Sequence, residues 1–416
     1  MLLDQPLDWQ VKGAPVLPAG TTIADFVRDR PNVFDAGFLP PLMVLRDSAL
    51  RSNLATMAEF CRSTGTVLAP HGKTHMAPAL AKRQLDAGAW GITVATPSQA
   101  RVYRAAGFTR ILLANELVDP AAIAWIAGEV DAGLKFTCYV DSLDGVALLA
   151  AALPAGSRPL DVLVEVGPEG ARTGVRTVEQ AVAVARAAAE VSRLRVVGIS
   201  AYEGGFGNSP GAPDEQTQQE VREFLRLLRT AGEAISATVP ADADFIASAG
   251  GSVYFDLVAE ELTRDWKLER PVTVVLRSGC YLTHDNGSYL RKTPFGRTLS
   301  GQLTPAIEVW ASVLSRPEPG LALVGMGRRD VAFDIDLPVA ESIRHADGSQ
   351  TTAAGITVTA LNDQHGYLHL DADSPLRVGD LVRFGISHPC TALDKWRFIP
   401  VVDDDYRVID YVRTFF

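Results

Sequence analysis

The chain has 416 residues, 47% apolar and 21% charged, and its 39 Lys and Arg against 49 Asp and Glu give a net charge of −10. These values fit a globular chain with a large core and exclude disordered, collagen-like and fibrous classes. An acidic balance without a basic cluster argues against nucleic acid and anionic membranes as partners, since both reward Lys and Arg patches.

The opening MLLDQPLDWQ has no basic n-region and puts Asp4 where a secretion leader would be apolar. The apolar run Val146–Leu153 is far too short to span a bilayer. Four cysteines (Cys61, Cys138, Cys280 and Cys390) are too sparse for a disulfide framework. The expectation is a cytoplasmic protein with free thiols.

Residues 1–45 carry Pro, Gly and the extended run PLMVLR, and are expected to lie partly in a β domain. A helix is predicted from Asp47 to about Thr64. From Thr66 onward, short β-branched runs alternate with amphipathic Ala/Leu/Arg segments. The strand-like runs are Thr66–His71, Gly91–Thr96, Arg110–Asn115, Lys135–Val140, Asp161–Val166, Arg195–Ser200, Asp244–Ser248 and Val272–Arg277. Helices are predicted at Ala77–Ala87, Ser98–Ala106, Pro120–Ala127, Thr177–Ala189 and Asp214–Ile235. Eight βα units over residues 46–290 predict a closed (β/α)8 barrel of the TIM type. A doubly wound open sheet is the alternative, weakened because no GxGxxG follows the first strand. Residues 291–416 change texture to short β-rich runs between Gly, Pro and Asp, which predicts a C-terminal antiparallel β domain.

In such a barrel, chemistry collects at the C-terminal strand ends. There the sequence places His71-Gly72-Lys73-Thr74-His75, Arg172, Tyr202-Glu203-Gly204-Gly205, Ser248 to Ser252, and Arg277 to Tyr281 with His284-Asp285. The adjacent loops at Ser248, Gly250, Gly251 and at Gly279, Cys280 offer backbone N–H groups to an anion, although βα turns need glycine in any case. Lys73 is either a surface charge or a desolvated amine able to form a Schiff base with an aldehyde. A phosphate site facing a strand-end lysine is the arrangement a pyridoxal phosphate enzyme requires. Far downstream, His388 and Cys390 are two apart in what reads as an extended segment, so they could share one metal. The plainer alternative is a buried thiol beside a loop histidine.

Taken together and in this order, APHGKTHMAP, GPEGARTGV, AYEGGFG, ASAGGS, RSGCYLTHD and GDLVRFGISHPC resemble the fold-type III pyridoxal phosphate enzymes. The likeness is strongest to the D-serine dehydratase and D-threonine aldolase branch. The resemblance implies that Lys73 carries the cofactor and that Ser248, Gly250, Gly251, Gly279 and Cys280 surround its phosphate. It implies Arg277 near the pyridine nitrogen, Arg172 and Tyr202 along the cofactor, and Tyr281 and His284 facing the substrate. His388 and Cys390 would bind a divalent metal, zinc by donor chemistry, with manganese or cobalt as alternatives.

His-x-Cys, rather than the His-x-Asp of the aldolases, implies a dehydratase acting on a small D-3-hydroxy amino acid and releasing a 2-oxo acid and ammonia. Retro-aldol cleavage is the alternative; a racemase or a non-catalytic cofactor carrier is further off. Gly72 departs from the larger residue usual before the lysine, and His365 stands where relatives carry an acidic-His-Gly motif. Racemases of this fold are homodimers with sites at the interface, so a homodimer is implied.

Overall fold

A computed structural model describes residues 4–207 and 211–416. Residues 1–3 of the opening segment lie outside the described residues. Eight parallel strands form one curved sheet: Val67–Leu68, Ile92–Val94, Arg110–Glu116, Lys135–Val140, Leu160–Val166, Leu194–Ala201, Phe245–Ala249 and Val272–Leu276. The first strand pairs with the last, through Val67↔Val275 and Leu68↔Leu276. The first and second are joined by the His71↔Thr93 bridge and by the Trp90 N–H donating to the Leu68 carbonyl at 2.7 Å, which closes the ring. Pro70 explains the short first strand, because proline has no N–H to donate to a ladder. The chain is thus the TIM-type barrel that the alternation predicts.

Helices follow the strands, with starts fixed by local chemistry. Thr96, Asp119, Ser142, Thr177 and Asp214 each accept a first-turn N–H through the side chain. Pro97 and Pro120 occupy first-turn positions where their missing N–H is harmless. Inside the barrel, Ala69, Leu112, Tyr139, Leu163, Val197, Ile246 and Val275 form a packed apolar layer.

The second unit is a ten-stranded sheet, mostly antiparallel. Its long strand Ile307–Glu318 lies between Leu42–Arg46 and Leu381–Gly385. Leu42–Arg46, from the N-terminal segment, also pairs in parallel with Phe398–Val402. The sheet is therefore not purely antiparallel, and both ends of the chain contribute to it. Among the described residues, no helix is long and apolar enough to cross a membrane.

Candidate active site

Lys73 sits in a short 3-10 turn, Gly72–Thr74, at the C-terminal mouth of the first barrel strand. Its side chain is exposed, so the single chain does not bury this amine. The turn is held by Tyr103, whose hydroxyl donates to the Gly72 carbonyl at 2.8 Å. A Cβ at position 72 would collide with the Tyr103 ring and hydroxyl, which explains the glycine before the lysine. A Cβ at Gly279 would meet the His71 carbonyl and Thr74 Oγ1, so the loop after the eighth strand packs directly on the Lys73 turn.

A cavity of about 210 Å³ opens here, lined by Lys73, His71, Tyr139, Glu165, Arg172, Tyr202, Gly251 and Arg277. Arg277 is buried; its Nη1 donates to Ser248 Oγ at 2.8 Å and its Nη2 to the Ala201 carbonyl at 2.6 Å. Ser248 Oγ in turn donates to the Val275 carbonyl at 3.2 Å. Arg172 lies over the Tyr202 ring at 4.3 Å. Burial, then the charges of Lys73 and Arg277, pushes His71 well below the usual histidine range and keeps it neutral.

The structure brings Lys73, Arg172, Tyr202, Gly251 and Arg277 around one cavity. It disposes other expected residues differently. The Gly250 and Gly251 N–H groups donate to the buried Glu203 carboxylate at 3.1 and 2.5 Å, so an internal anion already holds them. Ser252 Oγ accepts the Cys280 N–H at 3.4 Å, and the Ser278 hydroxyl donates to the Gly250 and Gly251 carbonyls at 3.2 and 3.1 Å. Tyr281 does not face the cavity: its hydroxyl accepts from Gln84 at 2.9 Å, and it lines a separate space with Leu54 and Cys61. Its neighbour Cys280 points the other way, toward Cys390. His284 is buried, accepts the Asp285 N–H through Nδ1 at 2.6 Å, and borders a third cavity with Phe295 and Arg297.

The late motif also differs from its expected geometry. Two-residue alternation requires an extended backbone, but His388 has φ 75° and Cys390 opens the helix Cys390–Leu393. The two side chains diverge. His388 Nδ1 meets Asp334 Oδ2 at 2.6 Å. A carboxylate only accepts, so Nδ1 carries a proton toward Asp334 and Nε2 is the ring nitrogen turned away from that bond. Cys390 Sγ lies 3.5 Å from Thr74 Oγ1 and 3.9 Å from Cys280 Sγ. The bond from Cys280 lowers the Cys390 thiol to about 7 against the opposing effect of burial, while the same bond and burial push Cys280 up.

Two carboxylates, Glu116 and Glu165, were not singled out from sequence. Both are acceptor-only when ionised, and no N–H or O–H reaches either oxygen of Glu116 or Oε2 of Glu165. One proton held between them resolves the conflict. Burial, then the shared proton with Glu165 and the charges of Glu165 and Asp141, pushes Glu116 up to about 9.

The cavity fits pyridoxal phosphate. A lysine stands at its mouth, and His71 Nδ1 is buried without a hydrogen-bond partner beside it. The Gly279 backbone approaches the lysine turn as closely as a glycine allows. The two residues expected to bind a metal, His388 and Cys390, are held by different partners, Asp334 and Cys280. Among the described residues, no three His, Cys, Asp or Glu side chains gather at one point. The donor types suit a metal with open coordination positions left for water or substrate.

Two family profiles match the chain. "Alanine racemase, N-terminal domain" covers residues 46–250, and "Putative serine dehydratase domain" covers residues 306–402. The 3-hydroxy-D-aspartate aldolase of Paracoccus denitrificans (strain Pd 1222) is 26% identical over 379 residues, 88% of this chain and 89% of that protein. The D-threo-3-hydroxyaspartate dehydratase of Delftia sp. (strain HT23) is 31% identical over 135 residues, 32% of this chain and 35% of that protein. The crystal structure of D-threonine aldolase from Filomicrobium marinum superposes with a TM-score of 0.74 at 27% identity, covering 91% of this chain and 95% of that one. The chain belongs to the fold-type III pyridoxal phosphate enzymes, in the family of the D-serine dehydratase-like and D-threonine aldolase-like proteins.

Proposed function

We propose that this chain is a pyridoxal phosphate- and metal-dependent dehydratase that converts a D-3-hydroxy amino acid, such as D-serine or D-threonine, to a 2-oxo acid and ammonia. The observation that carries the reading is the Cys390 sulfur standing 3.5 Å from Thr74 Oγ1, on the residue next to Lys73. A thiol from the distant C-terminal unit thus lies beside the cofactor lysine.

Bound pyridoxal phosphate supplies an electron sink for the pair released at the substrate Cα. Lys73 would hold the cofactor aldehyde, and its Nζ, at the cavity mouth, would be the base for the substrate Cα proton. Arg277, anchored by Ser248 Oγ and the Ala201 carbonyl, presents its guanidinium to the cavity, where it would lie near the cofactor's pyridine nitrogen. Neutral His71 offers a lone pair inside the cavity. Arg172, over the Tyr202 ring, presents a guanidinium to the cavity, where it would pair with the substrate carboxylate. His388 and Cys390 would hold a divalent metal, zinc by donor softness, which supplies a Lewis acid for the β-hydroxyl. In the balance, Cα–H and Cβ–OH are lost as water, and water returning at Cα releases ammonia. The exposed Lys73 supports a homodimer in which a second copy closes the mouth.

Retro-aldol cleavage is the second reading, favoured by one observation. In sequence, the aldolase relatives align over most of this chain and the dehydratase of Delftia sp. over about a third, whereas in structure that dehydratase covers 91% of it. Product analysis separates the two. Incubation with D-threonine is expected to yield 2-oxobutyrate; glycine plus acetaldehyde overturns the dehydratase reading. No turnover across a panel of D-3-hydroxy amino acids, with and without divalent metal, overturns both.

A further inference from the structure

The sulfurs of Cys280 and Cys390 stand 3.9 Å apart although the residues are 110 positions apart in sequence and lie in different units of the fold. Cys280 belongs to the loop after the eighth barrel strand, and Cys390 opens a helix in the C-terminal sheet unit. Two sulfurs on one tetrahedral metal, each at about 2.3 Å, are separated by about 3.8 Å. A disulfide needs about 2.05 Å, so these sulfurs would have to close by nearly half their separation.

Both backbones are pinned. Cys280 N donates to Ser252 Oγ at 3.4 Å, and its carbonyl accepts the His284 N–H at 2.8 Å. The carbonyl of Pro389, just before Cys390, accepts the N–H groups of Ala392 and Leu393 at 3.2 and 3.0 Å. Thr74 Oγ1 lies within 3.9 Å of Cys280 Sγ and 3.5 Å of Cys390 Sγ, so one hydroxyl touches both sulfurs. Thr74 follows Lys73 in the same 3-10 turn, so the pair packs on the turn that carries this lysine.

We propose that Cys280 is a second thiolate ligand, completing with Cys390 a dithiolate seat for the metal. This rests on the reading above, which gives that metal to His388 and Cys390. The loop expected to serve the cofactor phosphate would therefore act through two parts: its backbone toward the cofactor and its Cys280 sulfur toward the metal. The remaining positions go to substrate or water; His388, held by Asp334 at 2.6 Å, would have to turn to reach the same ion. The metal would clamp the barrel to the sheet unit at the Lys73 turn. A dithiolate seat favours soft, thiophilic ions over magnesium or calcium.

The test uses the cofactor-loaded enzyme, stripped of metal with a chelator under reducing conditions and titrated with Cd2+. Each cadmium–thiolate bond adds ultraviolet charge-transfer absorption. The wild type is expected to show a saturable band at one Cd2+ per chain, Cys280→Ser and Cys390→Ser about half of it, and the double variant none. A Cys280→Ser variant with the full wild-type band overturns the proposal while leaving a Cys390 metal site standing. No band in the wild type overturns the metal reading itself and the proposal with it. Alkylation mapping of wild type gives a check independent of variant folding. Cd2+ should protect Cys280 and Cys390 together; protection of Cys390 alone, or recovery of the two as a disulfide from reduced protein, contradicts the proposal.

Discussion

Asp285 Oδ2 accepts the backbone N–H of His388 at 3.1 Å, across 103 residues of sequence. The same buried carboxylate also collects the N–H groups of Gly287, Tyr289 and Leu290 at 2.9 to 3.2 Å. It therefore fixes both the end of the barrel chain and the left-handed backbone of His388. Asp285→Ala strands these donors, and leaving buried donors unsatisfied costs about 1–3 kcal/mol. Urea denaturation should show that loss, together with weaker metal retention. An unchanged midpoint would mean that the junction is held elsewhere.

Glu116 gives a pH dependence whose sign can be worked out. An unfolded glutamate titrates near about 4.3. In the folded chain, burial and the Glu165 charge push Glu116 up to about 9. Between these values the folded state binds more protons than the unfolded state, so stability falls as pH rises through that window. Glu116→Gln keeps a donor toward Glu165 and removes the titration. Its Tm should match wild type near pH 4 and exceed it at pH 8.5, by about 1 °C for each kcal/mol recovered in a chain of this length. Parallel Tm curves at all pH values contradict the shared proton.

Arg277→Lys tests the fork. Lysine keeps the charge but cannot reach Ser248 Oγ and the Ala201 carbonyl in one plane. Turnover should fall by about tenfold or more, equivalent to about 1.4 kcal/mol of lost positioning. The visible cofactor absorbance should persist. Wild-type kcat with lysine would place the guanidinium outside the reaction.

Cys390→Ala, or chelation of wild type, should depress β-elimination while leaving cofactor absorbance intact. Loss of the absorbance as well would make the metal a structural clamp rather than a participant in the reaction.

The barrel is legible in sequence because its signals are local. β-branched runs alternate with amphipathic segments, and the helices predicted from Thr177 and Asp214 are capped by those side chains. Lys73, Arg172, Tyr202 and Arg277 are legible because strand C-terminal ends converge on one face. The remainder depends on long-range geometry. Leu42–Arg46 finds its partner in Ile307–Glu318, which no local pattern announces. Tyr281 faces away from the cavity because it follows Cys280, which points across to Cys390. The positive φ at His388 breaks the alternation on which the His-x-Cys reading relied. Glu203 was visible as a residue of the sixth loop, but its capture of the Gly250 and Gly251 amides follows only from the fold.

The most direct measurement is borohydride reduction of the purified coloured protein, followed by peptide mapping. The account predicts a visible absorbance that disappears on reduction, a pyridoxyl mass on the peptide carrying Lys73, and no label in Lys73→Ala. A colourless protein, or a label on any other lysine, would contradict it.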